Sequence, residues 1–250
     1  MKYSENYNIS WHDTDANRIV TASKIVTYLQ ETANHQCESS GLPLDRLRDE
    51  RGLGFILASL SLKILKPLHA YEKIEVSTWC QPSRGYTFNR CFEIKRDGEL
   101  VALASTVWVL LDIHQKTMVR ASNIAEFDGC FYYDEPISPD AVPQRAKIAK
   151  DMELCEIGRR KIVYSDIDYN QHMNNTRYPD MLCDFLPEMT SISPAYRISS
   201  LSLSYIKESA LGDTLTVYRG EAREDGAIPL QTKNQSGDIC LEALLTLEEV

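Results

Sequence analysis

Two stretches of this chain carry nearly the same pattern. Asp13-Thr-Asp15-Ala-Asn17 matches Asp166-Ile-Asp168-Tyr-Asn170 at an offset of 153 positions, and Ser61-Leu-Lys-Ile-Leu-Lys66 matches Ser202-Leu-Ser-Tyr-Ile-Lys207 at an offset of 141. Two matches in the same order indicate a tandem duplication, with the second copy 12 residues shorter between the marks. The shortfall fits loss of part of the Leu42 to Gly54 segment. Its period is far longer than that of a solenoid repeat. The chain must therefore build two similar units, and differences between the copies become informative.

Each unit reads as one helix followed by strands. In the first copy, Ile25, Val26, Leu29, Ala33 and Cys37 recur at spacings of three and four. This predicts an amphipathic helix from Ala22 to Ser40, stopped by Gly41. Strands are expected at Asn6 to Ile9, Phe55 to Lys66, Ile74 to Trp79, Tyr86 to Lys95 and Leu100 to Asp112, with Arg96-Asp-Gly-Glu99 as a hairpin turn. Asp134 to Gly158, with Pro136, Pro139 and Pro143, reads as a linker. The order then restarts: a strand-like run at Lys161 to Tyr164, a helix-like run from Thr176 to Leu186, and strands at Ser200 to Ile206, Thr214 to Tyr218, Ile228 to Lys233 and Ile239 to Leu247. The expected class is α+β, with one unit at 1–133, a linker at 134–158 and a second unit at 159–250.

Composition narrows the setting. A formal net charge of −9 argues against nucleic acid as a partner. Two basic clusters, Arg145, Lys147 and Lys150 and then Arg159, Arg160 and Lys161, read as solvated faces. Seven cysteines at irregular spacing with no CxxC pair fit reduced thiols. Five scattered histidines give no metal-ligand spacing. No apolar run approaches the roughly 18 residues of a membrane span, and the N-terminal residues lack a basic-then-apolar signal. A cytoplasmic protein without cofactor or metal is the expectation.

The densest polar stretch is Asp166-Ile-Asp168-Tyr-Asn170-Gln-His172-Met-Asn174-Asn175, set between a strand and a helix, where sites are commonly built. Comparing copies isolates what is special in it. His172 takes the position of Ile19, and Glu208 takes that of Pro67. Asp168 and Asn170 have counterparts in Asp15 and Asn17. An imidazole and a carboxylate thus occur in one copy only, which suggests acid–base chemistry in the second unit and an apolar task in the first.

The Asp-x-Asn-Gln-His-x-Asn-Asn signature at 168–175 resembles that of the acyl-[acyl carrier protein] thioesterases, and Tyr205-Ile-Lys-Glu208-Ser209 resembles their second active-site segment. The resemblance spans the whole chain. It implies a tandem double hotdog, each half a long central helix wrapped by an antiparallel β-sheet. It further implies hydrolysis of fatty acyl thioesters of acyl carrier protein, the carrier being the partner. The implied catalytic residues are Asp168, Asn170, His172 and Glu208, with Glu208 acting as base on water or as direct nucleophile. Family members with Cys at the position of Ser209 were once assigned a Cys–His mechanism; Ser209 removes that nucleophile here. Single-unit hotdog acyl-CoA thioesterases use an Asp at the position of Asp15, which otherwise reads as a turn residue. Ile19, Val20, Trp79, Trp108 and Met118 are candidates to line the acyl-chain pocket, or are ordinary core. The lack of a transit-like segment suggests a bacterial-type member. Acyl-CoA hydrolysis, hydration or dehydration, and acyl binding without turnover are the alternatives. Homodimer formation is left open.

Overall fold

The computed structural model describes residues 2–82, 85–120, 122, 137–138, 141–191 and 193–250. The first unit runs β1 (Tyr3–Asn8), α1 (Ala22–Ser39), α2 (Leu44–Arg51), β2 (Leu53–Ile64), β3 (Lys73–Cys80), β4 (Thr87–Arg96), β5 (Glu99–Asp112) and β6 (Thr117–Val119). The second runs β7 (Cys155–Lys161), α3 (Tyr178–Cys183), α4 (Pro187–Thr190), β8 (Tyr196–Tyr205), β9 (Thr214–Arg219), β10 (Ile228–Lys233) and β11 (Ile239–Glu249).

The duplication is visible in the pairing. The strands form one antiparallel sheet in the order β1-β3-β4-β5-β2-β8-β11-β10-β9-β7, with β6 added beside β5. The order within the second half is that of the first read backwards from the centre. The halves meet where β2 pairs with β8, from Ser59 opposite Ser204 to Lys63 opposite Ser200. Pairing the two innermost strands removes two open edges that would otherwise expose unpaired backbone groups.

α1 buries the predicted face: Ile25, Val26, Leu29, Ala33 and Cys37 are all inside. Its first turn is capped by the Thr21 side chain, which accepts from the Lys24 N–H at 3.3 Å. One apolar cluster runs through both halves, joining Ile25 and Leu29 of α1 to Met181, Leu182 and Leu186 of the second unit. A smaller cluster gathers Leu42, Leu47, Leu53, Phe88 and Leu110 beneath α2.

Two expectations change. The second unit's central helix is not long: α3 has six residues, against 18 in α1. Pro187 explains its end, because proline lacks the N–H that a continuing helix needs and pushes the residue before it out of the helical region; Leu186 is extended, at φ −90° and ψ 118°. Strand β7 begins at Cys155, inside the stretch assigned to the linker. Residues 134–136 and 139–140 of that linker, with Pro136 and Pro139, and the boundary at residue 133 lie outside the described residues. Among the described residues, no helix is long and apolar enough to cross a membrane.

Candidate active site

The polar stretch is a folded turn, built twice. After β7, residues Tyr164–Asp166 make one turn of 3-10 helix. The buried Asp166 carboxylate accepts from the Val163 N–H at 3.0 Å and pairs with Arg160. Asp168 Oδ1 then accepts from the Asn170 N–H at 2.8 Å, and the Asp168 carbonyl accepts from Gln171 N at 3.0 Å. This tightens the chain until Gln171 enters the left-handed region at φ +68°. The chain then returns antiparallel, the Asp168 N–H donating to the His172 carbonyl at 3.0 Å. In the first unit, Asn17 N donates to Asp15 Oδ1 at 2.8 Å, Arg18 N donates to the Asp15 carbonyl at 3.0 Å, and Arg18 lies at φ +64°. The aspartates and asparagines shared by the copies are therefore the frame of the turn. Asp15 Oδ1 also accepts from Ile19 N at 3.0 Å, so this oxygen serves the local backbone.

What the second unit adds to this frame comes together. Met173 N donates to the Ser209 carbonyl at 2.8 Å, and His172 bridges to Ala210. That pairing lays the turn against the segment after β8, and His172 Nε2 lies 3.0 Å from Glu208 Oε2. In the first unit the same bridge joins Ile19 to His69, and Val20 N donates to the Leu68 carbonyl at 2.9 Å. There, Ile19 and Pro67 occupy the acid–base positions and carry no exchangeable side-chain proton. His172 and Glu208 are 35% and 55% exposed, so a reactant can reach them.

Ser209 points the other way. It is buried, and its hydroxyl accepts from Tyr178 Oη at 3.1 Å. Asn174 is a cap, its side-chain oxygen accepting from the Thr176 N–H and hydroxyl, each at 2.9 Å. Asn170 is exposed, and its side-chain oxygen accepts from Arg48 Nη1 of α2. Arg48 belongs to the mixed Leu42 to Gly54 segment, for which no helix was expected. A helical spacing was legible in Leu44 and Leu47, but an eight-residue helix made mostly of charged residues gives too little apolar period to stand out.

The candidate pocket residues divide. Ile19 and Val20 line a cleft of about 340 Å³ beside the first unit's turn, facing Cys183 and Asp184. Trp108 lines a separate apolar cavity of about 60 Å³ with Leu42, Leu44, Phe55 and Phe88. Trp79 is buried in β3 with the Lys2 ammonium 4.3 Å from its ring centre, and lines neither space. Met118 is 56% exposed on β6 and also lines neither. The five candidates therefore share no single space: Ile19 and Val20 lie at one, Trp108 at another, Trp79 in the core and Met118 on the surface. Of the basic clusters, Arg159 is paired with Glu156 and Arg160 with Asp166, so the second is partly neutralised within the fold.

Comparison with known proteins gives a consistent answer. The family model described as the acyl-ACP thioesterase N-terminal domain matches residues 1–126, and the corresponding C-terminal domain matches residues 150–247. A palmitoyl-acyl carrier protein thioesterase of Cuphea hookeriana is 26% identical over 222 residues, covering 83% of this chain and 52% of the relative. The chain thus spans about half the length of these curated relatives. An acyl-ACP thioesterase structure from Bacteroides thetaiotaomicron superposes with a TM-score of 0.86 at 22% identity, covering 99% of this chain and 98% of the other. The 12:0-ACP thioesterase of Umbellularia californica superposes with a TM-score of 0.83 at 17% identity, covering 100% and 98%. These likenesses establish the tandem double hotdog fold.

Proposed function

Because the chain belongs to the acyl-ACP thioesterase family, we propose that it hydrolyses the thioester joining a fatty acyl chain to acyl carrier protein, giving free fatty acid and carrier thiol. The observation that carries this reading is the 3.0 Å approach of His172 Nε2 to Glu208 Oε2, inside the segment matched by the family's C-terminal domain.

The chemistry follows from the donor inventory. A carboxylate only accepts, so the imidazole nitrogen facing it carries the proton. That bond fixes the orientation of Glu208 and leaves Oε1 for a water. Glu208 takes a proton from this water as its oxygen bonds to the thioester carbon. The tetrahedral intermediate expels the carrier thiolate, which recovers a proton from the Glu208–His172 pair. Asn170 offers its amide N–H groups to the developing oxyanion; removing one such donor typically costs about 10²–10³ in rate. Asp168 positions Asn170 by holding its backbone N–H. Substrate must cover the exposed pair, since water exclusion strengthens each of these interactions.

In this reading the acyl chain enters the first unit. What supports it is the apolar cavity at Leu42, Leu44, Phe55, Phe88 and Trp108. Leu44 sits on α2, the helix whose Arg48 touches the catalytic turn, so one short element joins both places. The cleft at Ile19 and Val20 is the first unit's counterpart of the active site, without its acid–base groups. The reducing cytoplasm suits a chain with seven irregularly spaced cysteines.

A thiol-release assay across acyl lengths, on acyl carrier protein and on coenzyme A, tests the reading. Higher kcat/KM on the carrier protein is expected. A preference for coenzyme A would reassign the partner, and thiol-free changes in double-bond absorbance would replace hydrolysis by hydration. Tight acyl binding with no turnover would remove catalysis altogether.

A further inference from the structure

Between the repeat marks the first unit has 12 residues more than the second, and before its long strand it carries the eight-residue α2 where the second carries only the four-residue α4. α2 is held by the buried Leu47 and closed by Gly52, which adopts φ +63° as its N–H returns to the Arg48 carbonyl at 2.9 Å. A side chain at Gly52 would meet His114 at 2.6 Å, so the helix end is fixed against the loop after β5. The exposed side of this helix does not face solvent alone. Three contacts bind it to the catalytic turn of the other unit. Arg48 Nη1 donates to Asn170 Oδ1, the Arg48 guanidinium lies 5.3 Å from the centre of the Tyr169 ring, and Tyr169 Oη donates to Asp49 Oδ1 at 3.2 Å.

The first of these has a definite chemical consequence. A guanidinium has five donors and no acceptor. The amide face that meets it must be the oxygen, which turns the Asn170 NH₂ away from α2. An asparagine side chain on an exposed turn otherwise rotates freely between its two amide orientations, only one of which presents donors to a thioester oxygen. The cation over the Tyr169 ring and the Tyr169–Asp49 bond hold the guanidinium in register with the turn. Among the described residues no such clamp reaches the side chain of Asn17, the counterpart in the unit without His172 and Glu208.

We propose that Arg48 is a positioning residue for Asn170: the first unit's α2 reaches across to the second unit and sets the amide orientation that stabilises the oxyanion. This rests on the hydrolytic reading above. It makes the two halves interdependent, because the second unit cannot supply the clamp to itself.

The test uses the purified full chain in a thiol-release assay with acyl carrier protein substrates, with thermal unfolding as the folding control. Displacing a catalytic donor by an ångström or so costs about 10²-fold in favourable geometries. Arg48→Met should therefore lower kcat by about 10- to 100-fold with KM nearly unchanged, and Arg48→Lys should restore part of the loss. In an Asn170→Ala background, Arg48→Met should have no further effect on kcat. Independent, multiplying losses in the double variant would overturn the proposal, as would an effect on KM alone, which would mean that the guanidinium meets the carrier instead. If Arg48→Met fails to fold, Arg48→Ala in the same two backgrounds gives the same comparison. An inactive wild type would overturn the hydrolytic reading together with this one; an active wild type indifferent to Arg48 would overturn this one alone.

Discussion

Ser61 and Ser202 face each other across the seam between β2 and β8, their hydroxyl oxygens 3.5 Å apart, and they are also the residues that the repeat equates. A pair that is both equivalent and opposed marks the local twofold axis. Leu60 opposite Leu203 and Leu62 opposite Leu201 repeat the same relation on either side of it. Both serines are buried, and at 3.5 Å one hydroxyl donates a long, weak hydrogen bond to the other. Replacing Ser202 by Ala leaves the Ser61 hydroxyl without this partner and should lower stability by about 1 kcal/mol or less, because the bond is long. The Ser61→Ala/Ser202→Ala double variant should lose less than the sum of the single losses. Urea midpoints of the four proteins check this; simple additivity would mean the pair does not couple.

The acid–base pair gives a sharper expectation. Glu208→Ala and His172→Ala should remain folded, since both side chains are partly exposed, yet lose about 10²–10⁴-fold in kcat. On the proposed mechanism the double variant should be little worse than either single one, as expected of groups that act as a unit. Rates near wild type in either single variant would remove that residue from the mechanism.

Away from the site, His35 provides a pH signature. Its Nδ1 lies 2.8 Å from Glu5 Oε2, and this hydrogen bond raises the imidazole above its ordinary value, with Glu31 and Glu38 adding to the effect. The protonated form is therefore favoured in the folded state. The stability it contributes is fully present below the unfolded value of about 6.5 and is lost as pH rises through the raised folded value. His35→Gln should lower the unfolding temperature at about pH 5 and have a much smaller effect at about pH 9. The contribution is small and salt-sensitive, because the imidazole is largely open to solvent. A gap between the two proteins that stays constant with pH would exclude this linkage.

Acyl-length preference should respond to the cavity beneath α2. Leu44 and Phe55 both line it and are only partly buried. Leu44→Phe takes up space and should shift the product profile to shorter acids. Phe55→Ala opens it and should shift the profile to longer ones, at a stability cost of about 3 kcal/mol or less for a partly buried ring. Free fatty acids measured by gas chromatography after turnover of mixed acyl carrier substrates report the shift. Unchanged profiles in both variants would move the chain elsewhere, with the cleft at Ile19 and Val20 the next candidate.

Local chemistry was legible without coordinates. Turn residues, helical period and strand alternation depend on neighbours a few positions away, so α1, the Arg96–Glu99 hairpin and the twin Asp-x-Asp-x-Asn turns could be read directly. The comparison of copies also singled out His172 and Glu208, because a duplicated frame makes any departure from it conspicuous. Tertiary structure alone decided the rest. The 3.0 Å approach of those two side chains depends on Met173 pairing with Ser209, a contact between segments 36 positions apart. The reach of Arg48 to Asn170 spans 122 positions and two units. The split of the candidate pocket residues between two spaces, and the exposure of Met118 on β6, depend on which elements pack together, which no local pattern encodes. Sequence spacing fixes what a backbone segment can become, whereas which side chains meet across units is set by the packing of surfaces that are remote along the chain.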